Sequence, residues 1–213
     1  MKILIIIISN EMNINNKLNI EILNNYLHSI DDIVVEYCGI SSNDDFINYE
    51  DIIKFKYKNI NSKEQFSKIC DFITDNKNIL DYDWYIKIRP DIKLLENINF
   101  DILSNTAINA IARLYVGHKQ IKNGMSVNGD GPWKDIRDCY YDTYEKYIIL
   151  DDMLYIFHNN VIHKDAFDKI SETIRESEWI HTKHWVERNI ELNVIGIYLV
   201  LTKYNAFSGN LLC

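Results

Sequence analysis

The feature that most constrains the fold of this chain is an unbroken apolar run near its start, residues 2–8, with the sequence KILIIII. Successive side chains of a β-strand point to opposite faces of the sheet, so a strand that is apolar at every position is covered on both faces. Such strands are typical of parallel sheets flanked by helices. The run is too short to span a membrane and lacks the small-residue cleavage site of a signal peptide, so we interpret it as a buried first strand.

A second stretch, residues 83–91 with the sequence DWYIKIRPD, has the pattern of a strand followed by charged residues. Its aromatic and β-branched residues suit a pleated surface. Pro90 has no N–H to donate to a sheet, so the strand is expected to end there. This places Arg89 and Asp91 at the carboxyl end of a central strand, the edge at which open α/β sheets bind ligands.

The order of elements predicts the fold class. Over the first hundred residues the pattern is strand, helix, strand, strand, helix, strand. A capping-box pattern at 62–65 indicates the start of the second helix. We therefore predict an α/β fold, Rossmann-like, with a mixed and mostly parallel central sheet flanked by helices. We expect one domain, 1–213, with a nucleotide-binding half at about 1–100 and an acceptor half at about 101–213. In the second half, strands are predicted at 107–115, 153–157 and 194–200, and helices at 135–147, 164–174 and 179–192.

Composition and missing motifs exclude several classes of function. The net charge of -8 disfavours nucleic acid as a partner. The glycine-rich fingerprints G-x-G-x-x-G and G-x-x-x-x-G-K-[ST] are both absent, which disfavours dinucleotide-binding enzymes and P-loop NTPases. The 4 cysteines are widely spaced without a C-x-x-C pair, so we expect no structural zinc and a reducing, cytoplasmic compartment. We predict no transmembrane segment.

Arg89 and Asp91 are the leading candidates for a functional site. Asp91 would bind Mg²⁺ or Mn²⁺ through oxygen, and Arg89 would hold a diphosphate in a bidentate fork. The alternative is a strand-end ion pair with a turn at Pro90. A rival metal motif, Asp81 and Asp83, fits the pattern D-x-D but stands before the strand, at the edge opposite to the expected ligand crevice.

Two adjacent carboxylates, Asp151 and Asp152, precede the predicted strand 153–157. Neighbouring residues of a strand face opposite ways, so at most one of them points into a site. That residue would act as a general base or hold the hydroxyl of an acceptor. The alternative is a solvated turn before the strand.

Three further candidates, His181, His184 and Glu187, recur every three residues and so form one stripe on a helix. Such a stripe could complete a metal shell or hold phosphate. The alternative is a polar helix face, on which Glu187 pairs with Lys183 or Arg188.

Weaker candidates come from position alone. Asn10 and Glu11 follow the first strand and would contact a base or ribose at the ligand edge. Lys63, at a predicted helix start, would steady a phosphate beside the positive end of the helix.

With these residues in view, the chain resembles a nucleotide-sugar glycosyltransferase of the GT-A type. The pattern covers nearly the whole length: the apolar first strand followed by Ser9, Asn10 and Glu11, the ending Arg89-Pro90-Asp91, and the acidic pair 151–152 before an apolar strand. The segment 185–188, before the last strand, belongs to it too. The Arg-Pro-Asp ending is similar to the metal motif of small members from bacteria and large DNA viruses.

The resemblance implies a UDP- or GDP-sugar donor, a glycan or glycoprotein acceptor, and Mn²⁺ or Mg²⁺ on the diphosphate. Asp91 would then be the metal ligand, Asp152 the catalytic or acceptor-side carboxylate, and His184 a late ligand of metal or phosphate. For a viral member the compartment would be the host cytoplasm. The chain departs from the family in having one carboxylate where D-x-D supplies two. That departure keeps two alternatives open: a noncatalytic module that binds nucleotides or sugars, and a nucleotidyltransferase.

Overall fold

The structure is a computed structural model of the 213-residue chain. It describes residues 1–9, 13–42, 53, 55–60, 65–78, 80–94, 97–116, 146–170, 177–201 and 206–208. Within these residues eight strands form one sheet in the order β3-β2-β1-β4-β6-β5-β7-β8. Their bounds are β1 Lys2–Ile8, β2 Val34–Ser41, β3 Phe55–Lys58, β4 Trp84–Ile88, β5 Ile108–Val116, β6 Lys146–His158, β7 Leu192–Leu201 and β8 Ala206–Ser208.

The sheet is mixed, as predicted. Four neighbouring pairs are parallel, namely β1 with β2, β1 with β4, β2 with β3, and β5 with β7. The pairs β4–β6, β5–β6 and β7–β8 are antiparallel. The carboxyl ends of β1 to β4 therefore meet at one edge of the sheet, and β6 runs in the opposite direction beside β4.

The described helices pack on the sheet. Their bounds are α1 Ile14–His28, α2 Gln65–Asn76, α3 Asn159–Ile162 and α4 Ser177–Glu187, and a single 3-10 turn covers Phe100–Ile102. Helix α1 begins where the Asn13 side chain accepts hydrogen bonds from the N–H groups of Asn15 and Asn16, both at 3.0 Å. No described helix is long and apolar enough to cross a membrane.

The first strand divides the core into two layers, as its sequence requires. Ile3, Ile5 and Ile7 pack with α1 on one face of the sheet, and Leu4 and Ile6 pack with α2 and α4 on the other. All five side chains are fully buried. The interpretation of residues 2–8 as a strand covered on both faces is confirmed.

Three predictions in the second half of the chain are wrong in detail. Residues 146–147, predicted to be helical, begin β6, so the pair 151–152 lies inside a strand and not before one. Residues 164–170 form turns and irregular backbone in place of the predicted helix. Helix α4 ends at Glu187, because Asn189 takes a left-handed φ of 53° and Leu192 already belongs to β7.

Candidate active site

The candidate site lies at the carboxyl edge of the parallel strands. Ile7 of β1 pairs with Ile88 of β4, and Ile8 pairs with Ile40 of β2, so these three strands end level with one another. Beyond them, the N–H of Ser9 still donates to the carbonyl of Ile40 at 3.2 Å. Residues that come after the strands are thus gathered at one rim, which is where the sequence placed Arg89 and Asp91.

Pro90 turns the chain away from the sheet directly after β4. The N–H of Ile92 donates to the carbonyl of Arg89 at 3.2 Å, which closes a tight turn around Pro90 and Asp91. Asn19, on α1, donates through Nδ2 to the carbonyl of Pro90 at 3.0 Å. The turn is therefore tied to a helix as well as to a strand, and Asp91 is held at the rim by both.

Arg89 grips Asp91 with two parallel hydrogen bonds. Its Nε donates to Oδ1 at 3.0 Å, and its Nη2 donates to Oδ2 at 2.6 Å. This bidentate fork lowers the pKa of the Asp91 carboxyl, and burial, which acts in the opposite sense, is the smaller effect. Asp91 is thus a carboxylate at neutral pH, and its side chain is half exposed. The strand-end ion pair of the alternative interpretation is present, and the roles predicted for Arg89 and Asp91 in a metal-diphosphate site stay predictions.

A second carboxylate faces the same guanidinium. Asp152 Oδ1 lies 4.0 Å from Nη1 of Arg89, and the Asp152 side chain is largely buried. The N–H of Arg89 also donates to the carbonyl of Met153 at 3.0 Å, so β4 and β6 are joined at this point. Arg89 therefore connects the two acidic segments that the sequence suggested separately.

Asp152 lies within an irregularity of β6. Ala110 of β5 pairs with Tyr155, whereas Ala112 pairs with Leu150, so the register between β5 and β6 shifts here. Between these two pairs lie four residues of β6 and only one residue of β5, so β6 forms an extended bulge around Asp152. Leu154 of β6 pairs with Ile88, the last residue of β4, so Asp152 lies just past that end of β4, at the rim and inside the bulge.

Lys87 is a charged residue at the site that the sequence analysis did not single out. It lies in β4 two residues before Arg89, is 1% exposed, and donates through Nζ to the backbone carbonyl of Asp152. The signal that could have revealed it is a lone charge inside a buried strand, in the sequence WYIKI.

The rival acidic pair lies at the opposite edge of the sheet. Asp83 accepts a hydrogen bond from the N–H of Lys2 at 2.7 Å, and Asp81 forms an ion pair with the Lys2 ammonium at 3.0 Å. The N–H of Asn159 donates to the carbonyl of Asp83 at 3.0 Å. Both aspartates therefore contact the amino ends of strands, away from Arg89.

His184 contacts a different part of the molecule from Asp91. Its ring lies 5.3 Å from that of Phe66, and backbone carbonyls of Asp165 and Ala166 lie against it. Burial lowers the pKa of His184 to about 4, and nearby Arg188 also acts to lower it, so the ring is neutral. His181 is also fully buried, with its ring 5.9 Å from that of Phe66.

The end of α4 points to the far edge of the sheet. The chain after α4 enters β7 at Leu192, which pairs with Ile108, and Ile108 pairs with Phe157 of β6. Phe157 lies opposite Tyr85 near the amino end of β4. Glu187, exposed in the last turn of α4, thus lies toward the edge opposite Arg89. The roles predicted for His184 and Glu187 stay predictions, and the structure does not bring these residues together with Asp91.

Four predicted site residues contribute no side-chain geometry. Asn10, Glu11 and Lys63 lie outside the described residues. Asp151 belongs to β6, but only its backbone is described. Their predicted roles stay predictions.

The donor set at the rim fits a divalent cation that is shared with a substrate. Among the described residues, no three His, Cys, Asp or Glu side chains are grouped closely enough to hold a metal ion. Mg²⁺, however, is usually bound by one or two carboxylates together with water and substrate phosphates. Asp91, ionised and half exposed, is a carboxylate of that kind.

Comparison with known proteins supports the fold. No sequence profile of a known family matches the chain, and no curated protein sequence matches it. The structure of CMP:2-keto-3-deoxy-manno-octonic acid synthetase in complex with CTP matches with a TM-score of 0.50 and 9% identity, covering 99% of this chain and 93% of that one. A protein from Desulfovibrio desulfuricans G20, assigned as a nucleotide-diphospho-sugar transferase, matches with a TM-score of 0.44 and 10% identity, covering 93% and 80%. At 9% identity the first match shows a shared fold, and it confirms the predicted α/β class.

Proposed function

We propose that this chain is a glycosyltransferase that binds a nucleotide sugar at the carboxyl edge of its sheet and transfers the sugar to a glycan or glycoprotein. One observation carries the proposal: Arg89, at the end of β4, forks onto Asp91 while Asp152 faces the same guanidinium at 4.0 Å. A cation and two carboxylates at the ligand edge of an α/β sheet suit a substrate that combines a diphosphate with a sugar hydroxyl.

Arg89 would bind the diphosphate. A guanidinium pairs with phosphate in the same bidentate geometry that it uses with Asp91. The leaving group in sugar transfer is a nucleoside diphosphate, whose negative charge grows in the transition state. A fixed cation that meets this charge lowers the barrier more than it stabilises the bound donor.

Asp152 would act on the acceptor. Its carboxylate is largely buried at the rim, and a carboxylate there can orient the attacking hydroxyl and accept its proton. Asp151, its neighbour in β6, remains the alternative for that role.

Asp91 would hold Mn²⁺ or Mg²⁺ together with the donor diphosphate. When bound, the ion would neutralise charge on the leaving group. The donor nucleotide would be UDP or GDP, and the sugar a hexose or deoxyhexose, as the GT-A resemblance implies. Asn10, Glu11 and Lys63 are retained as candidate contacts to base, ribose and phosphate.

Nucleotidyl transfer is the second candidate. It is favoured by the fold shared with a synthetase whose structure holds CTP. The same rim would then bind a nucleoside triphosphate, and the leaving group would be pyrophosphate. The absence of a glycine-rich phosphate loop after the first strand speaks against this candidate.

The two reactions are separated by their products. We would incubate the protein with UDP- and GDP-sugars, and separately with CTP and a sugar acid, each with Mn²⁺, and analyse products by chromatography and mass spectrometry. Sugar transfer predicts a nucleoside diphosphate with a glycosylated acceptor, or with free sugar when acceptor is omitted. Nucleotidyl transfer predicts pyrophosphate instead, and binding without any product would support a noncatalytic module.

A matched pair of variants ties the activity to the rim. Arg89→Ala should reduce turnover by about 100-fold or more, the usual cost of removing a group that stabilises transition-state charge. Arg188→Ala, an arginine of the opposite edge, should retain activity. Equal activity of the Arg89 variant and the wild type would refute the proposed site.

A further inference from the structure

Lys87 is a buried cation to which the proposed chemistry gives no role. It occupies an apolar strand, and only 1% of its surface is exposed. Burying an ammonium is costly unless hydrogen bonds and nearby electron-rich groups replace its water. A lysine at such a position therefore calls for a physical explanation.

Two contacts of Lys87 are made with β6. Its Nζ donates to the backbone carbonyl of Asp152 and lies 5.3 Å from the centre of the Tyr155 ring, within the range of a cation–π contact. Tyr155 is also the residue that pairs with Lys87 across the two strands. The contact with Tyr155 thus lies at the end of the bulge, where pairing with β5 resumes. The contact with the Asp152 carbonyl lies inside the bulge.

The residues of the bulge fall outside the regular ladder with β5, so this part of β6 is held from the side of β4. A carbonyl that leaves the ladder must find another donor, and Lys87 supplies one from the neighbouring strand. The carboxylate attached to the same residue, Asp152, is the one that faces Arg89. The position of that carboxylate therefore depends on where its own backbone is held.

We propose that Lys87 is a positioning residue: it fixes the bulge of β6 by binding the carbonyl of Asp152, and so holds the Asp152 carboxylate toward Arg89. The inference deepens the proposed function and rests on it for its effect on turnover. Its effect on the backbone is independent of any reaction. If Lys87 served only to fill the core, its replacement by methionine would cost little unfolding free energy, because buried charged residues can often be replaced by apolar residues without loss of stability.

Hydrogen exchange tests the structural part without any substrate. The N–H of Arg89 donates to the carbonyl of Met153, inside the bulge, so its protection reports whether the bulge is held. In Lys87→Met we expect exchange at the Arg89 amide to accelerate about tenfold or more, the factor that corresponds to about 1.4 kcal/mol. The Asn59 amide, which donates to Ser41 in another part of the sheet, should keep its rate.

Matched variants separate positioning from a general loss of stability. Lys87→Arg keeps a cationic donor and should retain most of the protection. Lys164 is exposed, and its ammonium donates to the backbone carbonyl of Thr106 at 3.1 Å. Lys164→Met removes this ammonium and should leave the exchange rate of the Arg89 amide unchanged. Should Lys87→Met fail to fold, the comparison is made between Lys87→Arg and Lys87→Gln. An Arg89 amide that is equally protected with and without the charge at position 87 overturns the proposal.

Kinetics test the catalytic part. Lys87→Met should lower kcat by about 10- to 100-fold with the KM for the donor nearly unchanged, because a misplacement of about 1 Å is enough for a loss of that size. Combined with Asp152→Asn, it should add little to the loss caused by Asp152→Asn alone, since Lys87 acts through Asp152. Independent, multiplying losses, or a rise in KM alone, would contradict the proposal. If wild-type protein shows no turnover, the proposed function fails while the amide measurement still decides the role of Lys87.

Discussion

Arg89 links three segments of the chain through a single side chain and its backbone. The guanidinium forks onto Asp91 and faces Asp152, and the backbone N–H donates to Met153. Because two carboxylates already face this guanidinium, they would repel a bare phosphate that approached it. A ligand with phosphate groups therefore needs either a cation of its own or the displacement of Asp91.

Asp91→Asn tests the residue on which the metal assignment depends. We expect at least a 100-fold loss of sugar transfer, since an amide is a much weaker ligand for Mn²⁺ or Mg²⁺ than a carboxylate, with the thermal midpoint close to that of the wild type. Initial rates are measured across a titration of Mn²⁺.

Asp81→Asn is the matched control, because Asp81 belongs to the D-x-D pattern yet pairs with Lys2 at the opposite edge. It should retain activity. A loss in Asp81→Asn with full activity in Asp91→Asn would move the metal to the other motif.

The sequence predicted the location of Arg89 and Asp91 for a simple physical reason. Pro90 has to end β4, and the residues directly after a parallel strand lie at the carboxyl edge of the sheet. The sequence did not predict the contact between Arg89 and Asp152, because the two are distant in the chain and a turn signal carries no information about distant pairing. Lys87 was missed because it binds a backbone carbonyl, a partner that no residue pattern records.

At the scale of elements, β6 shows why the local sequence pattern did not predict the full extent of this strand. Its apolar residues fall into two groups, 147–150 and 153–157, separated by the acidic pair. Two charged residues normally interrupt a strand, so local pattern ends the strand at 153 and leaves the earlier group outside it. The structure keeps one strand and places the interruption in a bulge opposite β5. Such a bulge depends on pairing between distant parts of the chain and cannot be inferred from spacing.

The helix predicted to begin at residue 164 is absent from 164–170 for a related reason. Its apolar spacing is helical, but Asp165 takes a left-handed φ of 58°, which stops a helix. Ala166 and Phe167 are instead buried against α4, where the carbonyl of Ala166 accepts a hydrogen bond from the Trp185 indole at 3.0 Å. Tertiary packing overrode the local preference.

The packing of α4 predicts a pH dependence of stability. The pKa of His184 is about 4 in the folded chain against an ordinary 6.5, mainly because burial disfavours the charged ring. Between about pH 6.5 and pH 4 the unfolded chain binds a proton that the folded chain does not, so stability falls as the pH falls through that window.

His184→Phe removes this titration and keeps an aromatic ring beside Phe66. Its free energy of unfolding relative to the wild type should therefore rise as the pH is lowered from about 7 to about 4, as measured by urea denaturation. His163→Gln, at an exposed position, is the control. If the difference in unfolding free energy between His184→Phe and the wild type stayed constant with pH, the His184 ring would not stay neutral in the folded chain.

At the scale of the whole molecule, β1 joins two separate cores. Alternate residues of this strand enter different apolar clusters, one with α1 and one with α2 and α4. The sequence predicted this well, because an unbroken apolar strand has no other arrangement that keeps it from water. The order of the strands and the antiparallel placement of β6 were not predictable, since they depend on long-range pairing.

Leu4→Ala and Ile5→Ala test that division. Each should cost about 2–5 kcal/mol of unfolding free energy, because each leaves a cavity in a closed core. The two residues are adjacent in the chain, but their side chains point to opposite faces and belong to different clusters, so their costs should largely add in the double variant.

Ile60→Ala, at a residue 71% exposed, is the control and should change stability by less than about 0.5 kcal/mol. Strong non-additivity of Leu4→Ala and Ile5→Ala in guanidinium denaturation would mean that the two layers unfold through one shared contact network.

The fork between Arg89 and Asp91 has a thermodynamic consequence. An anion that takes the guanidinium releases both oxygens of Asp91, and a cation that takes those oxygens releases the guanidinium. In the proposed site each ligand would thus remove the competitor of the other, so the two would bind cooperatively, and linkage would make the coupling reciprocal. In the proposed site, either ion alone would therefore bind more weakly than it would in the presence of the other.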